Sequence, residues 1–191
     1  MENILLDMVI GRICYPVTTL GFGRRIGIWT SGCIQDCDGC VSPELKDISV
    51  GKDFSADYIE KYISNINGTV DGITISGGEP FLQSKELAEY VERFIKIGIE
   101  DIIIYTGYTY EYLVKQNIYT QYILANISVL IDGKYIKELD NGVGIRGSSN
   151  QNIYIFKYSE RHKNLDCCKR EIQAIMCNGH ITNIGIPTIK R

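Results

Sequence analysis

Three cysteines stand within eight residues, Cys33-Ile34-Gln35-Asp36-Cys37-Asp38-Gly39-Cys40, in a C-x3-C-x2-C spacing with no fourth cysteine nearby. Thiols crowded in this way point to metal. Structural zinc takes four ligands in a closed tetrahedron, and simple electron-transfer iron–sulfur clusters take four thiolates. Three thiolates leave one iron of a cubane open to an outside chelating ligand, as catalytic metals keep an open position. A zinc site completed by a remote fourth ligand is the alternative that the spacing leaves standing.

A second motif, Ser76-Gly77-Gly78-Glu79-Pro80, follows the cysteines by about forty residues and directly succeeds an apolar run, Gly72-Ile73-Thr74-Ile75-Ser76. Two glycines let the backbone approach a ligand with no Cβ in the way. Glu79 offers an acceptor for an amine, and Pro80 stiffens the turn. Alone, the tetrapeptide is an ordinary turn carrying a charge. Behind a three-cysteine loop it becomes half of a site.

Together the two motifs resemble the radical S-adenosylmethionine (SAM) superfamily. The resemblance implies that Cys33, Cys37 and Cys40 hold a [4Fe–4S] cluster, that the amino and carboxylate groups of SAM chelate the fourth iron, and that Gly77, Gly78, Glu79 and Pro80 bind the amino group. It further implies reductive cleavage of SAM to methionine and a 5′-deoxyadenosyl radical. Many members carry an aromatic residue where this chain has Gly39.

Finer segments resemble the activating enzymes of anaerobic ribonucleotide reductase: Ile104-Tyr105-Thr106-Gly107-Tyr108-Thr109, Val129-Leu130-Ile131-Asp132-Gly133-Lys134-Tyr135-Ile136, Ile145-Arg146-Gly147-Ser148-Ser149-Asn150-Gln151 and the closing Gly185-Ile186-Pro187. The likeness runs from about residue 20 to 187. The related pyruvate formate-lyase activases share an Asp-x-Lys step, here Asp132-Gly133-Lys134. By this resemblance Lys134 pairs with the SAM carboxylate, and Thr106 and Asp132 are hydrogen-bonding partners for SAM. Arg146, Ser148 and Asn150 are candidates for contact with SAM or with a protein partner. The implied activity is formation of a glycyl radical on a reductase-type protein substrate, with flavodoxin or ferredoxin as electron donor. Two other readings remain: a radical SAM enzyme acting on a small molecule or peptide, of deazapurine or natural-product type, and a non-catalytic iron–sulfur or zinc protein.

The elements that must position these groups alternate. Apolar, β-branched runs at Arg25–Thr30, Gly72–Ser76, Asp101–Tyr105 and Ile127–Ile131 read as buried strands. Between them, Ser55 and Ser84 stand as candidate caps of helices carrying Ile59, Tyr62, Ile63 and Ile66, and Leu87, Tyr90, Val91, Phe94 and Ile95, the second closed by Gly98. Strand–helix alternation predicts an α/β fold with a mostly parallel sheet, wound into an open sheet or barrel. A full eight-fold barrel needs about 250 residues, so 191 residues hold a partial one, in the resemblance a (β/α)6-like barrel. The cysteine loop (32–41), Gly77–Pro80, Thr106-Gly107 and Asp132–Lys134 each follow a strand, and ligands of parallel α/β folds lie at the carboxyl ends of strands. The tail, about 170–187, reads as a terminal β-hairpin turning at Asn178-Gly179.

The length suits one domain, 1–191. A net charge of −3 provides no global field for nucleic acid or an anionic membrane. No run approaches the roughly 20 apolar residues of a membrane helix, and Met1–Asp7 lacks the pattern of a signal peptide. The cytoplasm is the expected location. Seven cysteines, an odd count, argue against a disulfide framework, and Cys14, Cys167, Cys168 and Cys177 read as ordinary thiols. His162 and His180, isolated in the sequence, receive no role.

Overall fold

The protein is described from a computed structural model covering residues 7–177 and 180–188. The expectations placed on Met1–Leu6 and on the Asn178-Gly179 turn lie outside the described residues. In chain order the strands and α-helices are β1 (Met8–Val17), β2 (Arg25–Thr30), β3 (Lys52–Phe54), α1 (Ala56–Ser64), β4 (Gly72–Gly77), α2 (Ser84–Lys96), β5 (Ile102–Tyr105), α3 (Tyr110–Leu113), α4 (Ile118–Asn126), β6 (Val129–Asp132), β7 (Asn152–Ile155), β8 (Ile172–Cys177) and β9 (His180–Gly185).

Among the described residues, seven strands form one sheet in the order β3-β1-β2-β4-β5-β6-β7. Its centre, β2-β4-β5-β6, is parallel. The helices between these strands supply the crossovers that parallel pairing requires. The flanks are antiparallel: β1 pairs with β2 and β3, and β7 pairs with β6. The sheet is therefore mixed.

Alternation sorts the two faces. Ile26, Ile28, Ile73, Ile75, Ile102, Ile104 and Leu130 pack in one core with Ile59, Leu87, Tyr90, Val91, Phe94 and Ile123 from the helices. The opposite face places Trp29 in a cluster with Leu20, Leu45 and Ile184, and Ile103 with Val129, Ile131, Ile145 and Leu165. Both faces are covered, which is why the central strands read as continuous apolar runs.

Ser55 caps α1, its side chain accepting from the Tyr58 N–H. Ser84 does not cap α2. A 3₁₀ turn, Pro80–Gln83, winds directly into that helix, so Ser84 is its first residue and Gln83 takes the flanking position. The Gln83 amide is occupied elsewhere: it accepts from the Val9 N–H at 2.7 Å and donates to the carbonyls of Val9 and Ser31. Gly98, at φ +86°, follows the end of α2 in the left-handed conformation that glycine allows.

The remaining two strands, β8 and β9, pair antiparallel as a separate sheet. Their inner side faces the cluster of Trp29 and Leu20 through Ile175 and Ile184. Cys177 is joined to Cys14 of β1 by a disulfide, with the two Cα atoms 5.8 Å apart. This corrects the reading of both as thiols; spacing along the chain carries no information about a pairing 163 residues apart. Cys167 and Cys168 remain free.

A candidate cofactor site at the strand ends

The carboxyl ends of β2, β4, β5 and β6 open into one cavity of about 690 Å³. Cys33, Cys37 and Cys40 line it, as do Gly77, Gly78, Glu79 and Thr106. Sequence-distant motifs meet there because parallel strands bring their carboxyl ends to the same rim.

Backbone hydrogen bonds lock the motifs together. The Gly78 N–H donates to the Thr30 carbonyl at 2.7 Å, and the Glu79 N–H to the Gly32 carbonyl at 2.8 Å. The cysteine loop is held in turn by Gly32 N–H to Leu45 O, 2.9 Å, and Cys33 N–H to Lys46 O, 3.0 Å. Gly77 has φ +110°, and a Cβ there would collide with the Thr30 backbone; one on Gly78 would collide with the Gly32 carbonyl. The two glycines therefore permit a close approach between the two halves of the site.

Glu79 is fully buried. Its Oε1 accepts from Thr106 Oγ1 at 2.8 Å and from the Phe81 N–H at 3.1 Å, and its Oε2 accepts from the Gly107 N–H at 2.7 Å. Burial pushes its pKa up to about 6 against the pull of these donors. Among the described residues no cationic side chain lies within ion-pair distance of it. A buried carboxylate on a cavity wall, supplied with neutral donors and no counter-cation, is suited to an incoming ammonium group.

The thiols respond to the same burial. Desolvation raises the pKa of Cys33, opposed by the Gln35 N–H and reinforced by Glu79 and the neighbouring thiols. It also raises Cys37, opposed by a backbone hydrogen bond from Tyr135. Among the described residues no three His, Cys, Asp or Glu side chains are gathered tightly enough to hold a metal ion as they stand. Cys33, Cys37 and Cys40 thus share a cavity wall without converging on one centre.

The other sequence candidates stand behind the wall. Pro80 begins the 3₁₀ turn and is buried. Asp132 is fully buried, and both its oxygens are engaged: Oδ2 by the Tyr110 N–H at 2.7 Å, Oδ1 by the Asn152 N–H at 3.0 Å and its side-chain amide at 3.1 Å. Ser148 Oγ accepts from the Ile136 N–H. Asn150 donates to the Lys134 carbonyl and Arg146 to the Gln151 carbonyl. Lys134 is exposed, and it adds the smallest contribution to a lowering of the Asp36 pKa that the Lys46 hydrogen bond and charge chiefly cause. Their neighbours Gly133, Tyr135, Gly147 and Gln151 line the cavity instead.

Three contributions were given no role in the sequence reading. Trp29 and Tyr105 line the cavity from strand positions that read as core. Residues 181–187, from β9 onward, line it from the far end of the chain. Arg170, buried, donates to Asp140 Oδ1 and to the carbonyls of Gly144, Arg146, Gly147 and Pro187, stitching the tail to the 140–147 loop.

Comparison with known proteins agrees with this geometry. Residues 19–154 match the family described as a 4Fe-4S single cluster domain. The chain is similar to the anaerobic ribonucleoside-triphosphate reductase-activating proteins of Vibrio cholerae (32% identity, 74% of this chain and 95% of the relative) and Haemophilus influenzae (35%, 75% and 96%). That of Escherichia coli K12 is 32% identical over 73% of this chain and 94% of its own length. The chain belongs to the anaerobic ribonucleoside-triphosphate reductase-activating protein family. The three cysteines of the cavity fall inside the matched segment, together with Glu79 and Thr106. Strands β8 and β9 fall beyond it. Among solved structures, QueE from Escherichia coli is similar over 53% of this chain and 52% of its own, at 19% identity and a TM-score of 0.46. That likeness is too slight to carry an argument. No helix among the described residues is long and apolar enough to cross a membrane.

Proposed function

We infer that this activating-family member is a radical SAM enzyme that generates a glycyl radical on an anaerobic ribonucleoside-triphosphate reductase. The observation that carries the reading is Glu79: a buried carboxylate without a counter-cation, on the wall of the cavity that also holds Cys33, Cys37 and Cys40. One cavity thereby offers thiolates for a cluster and an anion for the amino group of SAM.

The residues fit both groups. Cys33, Cys37 and Cys40 supply three thiolates, and no other cysteine lines the cavity among the described residues. Metal coordination would offset the burial that now favours the protonated thiols. When bound and reduced, the cluster supplies one electron to the sulfonium of SAM. The chain's own residues do the positioning: Glu79 receives the ammonium group, Thr106 and the Gly107 N–H hold the Glu79 carboxylate in place, and Gly77 and Gly78 keep that wall free of side chains. Trp29 and Tyr105 add aromatic surface to the cavity wall. Lys134 is an exposed cation available to a carboxylate near the mouth. Arg146, Ser148 and Asn150 act from behind, shaping the Gly133–Gln151 wall.

The mixed sheet with its helical layer is read as a partial (β/α)6-like barrel forming one domain, working in the cytoplasm with flavodoxin or ferredoxin as donor. The test is direct. Anaerobically reconstituted protein with dithionite and SAM is expected to yield 5′-deoxyadenosine, and addition of the cognate reductase a glycine-centred doublet in electron paramagnetic resonance. 5′-Deoxyadenosine without the doublet, alongside deuterium transfer from a small molecule, would replace the protein substrate with a small one. No 5′-deoxyadenosine at all would remove the enzyme reading.

A further inference from the structure

The hairpin β8–β9 has two unlike faces. Its inner face is fastened: Cys177 to Cys14 by the disulfide, Gln173 to Pro16 O at 2.8 Å and to the Thr18 N–H at 3.0 Å, and Ile184 O to Thr19 Oγ1 at 3.1 Å. Its outer face carries Ile172, Ala174 and Met176 on β8 with Ile181 and Asn183 on β9, since the pairs Ala174↔Asn183 and Met176↔Ile181 lie directly across from one another. That face bears no charge, and its three large side chains are turned to solvent: Ile172 is 51% exposed, Met176 65% and Ile181 75%.

A short hairpin with an uncharged apolar outer face invites association, and proteins ordinarily blunt such a face with charge. Here it borders the cavity of the three cysteines. Ile181 belongs to both, exposed on the outer face and lining the cavity. Val41, directly after Cys40, likewise lines the cavity while 64% exposed. On the β9 side, the mouth therefore carries an apolar stretch that continues outward from Ile181 over Met176 to Ile172.

We propose that the outer face of β8–β9 is the docking surface for the protein substrate, covered by apolar side chains flanking the target glycine of the reductase. The inference rests on the activase reading and deepens it by assigning the surface. A small substrate taken into the cavity would leave Met176 and Ile172 in water; an occupant must extend beyond the mouth to cover them. The inner-face anchors keep the surface in place before the partner arrives, which lowers the ordering cost of docking.

The test uses the reconstituted full chain and the cognate reductase. Ile172→Glu/Met176→Glu places two charges on the surface without touching the cavity wall. It is expected to cleave SAM with dithionite, in the absence of the reductase, at the wild-type rate. Half-maximal glycyl-radical formation should need roughly 100-fold more reductase. A conservative Ile172→Leu/Met176→Leu chain is expected to behave as wild type. In the wild-type chain, hydrogen–deuterium exchange of amides in 172–177 and 180–185 should slow when the reductase is added. An unchanged reductase requirement in the glutamate variant, or exchange unaltered by the reductase, would overturn this surface while the wild-type doublet upholds the activase reading. A wild-type chain that cleaves SAM but never yields the doublet would remove that reading, and the docking surface with it.

Discussion

Thr106 Oγ1, just past β5, donates to Glu79 Oε1, just past β4, at 2.8 Å, joining two strand ends 27 residues apart in sequence. The same hydroxyl accepts from the Tyr108 N–H at 3.1 Å. Thr106→Val keeps the shape and removes both interactions. A hydrogen bond to a charged group contributes about 1.5–3 kcal/mol, so SAM binding at neutral pH is expected to weaken by roughly ten- to a hundred-fold. Titration calorimetry on the reconstituted protein measures this, and unchanged affinity would mean that Glu79 is held well enough by its two backbone donors.

The pKa of Glu79, pushed up to about 6 by burial, gives two pH dependences of opposite sign. Between its ordinary value of 4.5 and about 6, the folded chain holds a proton that the unfolded chain releases. The contribution of this group to stability therefore declines as pH rises through that window, by about 2 kcal/mol in all, and is flat above it. SAM affinity runs the other way, strengthening as pH rises through about 6 and then levelling, because the ammonium needs the carboxylate. Glu79→Gln should flatten the affinity profile at a weak value. Affinities measured from pH 5 to 8 decide it, and a wild-type profile as flat as the variant's would rule Glu79 out as the amine acceptor.

Gly77 and Gly78 fail differently when enlarged. At Gly77 the positive φ and the Thr30 backbone both oppose a Cβ, so Gly77→Ala is expected to lower stability by at least about 1–3 kcal/mol, read as a fall in the chemical-denaturation midpoint. At Gly78 φ is not positive, and the obstacles are the carbonyls of Gly32 and Leu45. Gly78→Ala should push the turn away from the cysteine loop, giving a folded protein with reduced iron content and SAM affinity. Full iron loading in Gly78→Ala would show that the two halves of the site are not coupled through this contact.

The parallel centre of the sheet was legible because strands buried on both faces leave uninterrupted β-branched runs, as at Ile73-Thr74-Ile75. Strand β1 was not: Gly11, Arg12, Cys14 and Pro16 break its pattern, and its antiparallel pairing with β2 has shifts in register. The cavity cysteines and Gly77–Glu79 were legible because each directly follows such a run. Asp132 was legible by position but not by use, since position cannot show that Tyr110 and Asn152 engage its carboxylate. Nothing local marked Arg170 or the Cys14–Cys177 bridge; their partners are set by how the tail folds back across the sheet.

Arg25 tests whether stability and chemistry separate along one strand. It opens β2 at the end opposite the cysteine loop, about 16 Å from Thr30 at ~3.3 Å per residue. The guanidinium is fully buried and donates to Thr74 Oγ1 at 2.7 Å, Ile73 O at 2.7 Å and Asp101 Oδ1 at 3.1 Å. Burial would raise the pKa of Asp101, but the charge and hydrogen bond of Arg25, with help from His162, outweigh it and hold the pKa down. In the sign that follows, this stability is present above the ordinary carboxylate value and is lost as pH falls through the depressed one. Arg25→Met leaves Asp101 buried without its cation, and breaking such a pair costs about 3–5 kcal/mol. The denaturation midpoint should fall accordingly, with part of the difference from wild type vanishing in acid. SAM cleavage per folded, iron-loaded molecule should stay unchanged, because Arg25, Ile73, Thr74 and Asp101 do not line the cavity and meet its wall only through the Leu20 carbonyl. A specific activity that falls with stability would show that the two ends of β2 are not independent.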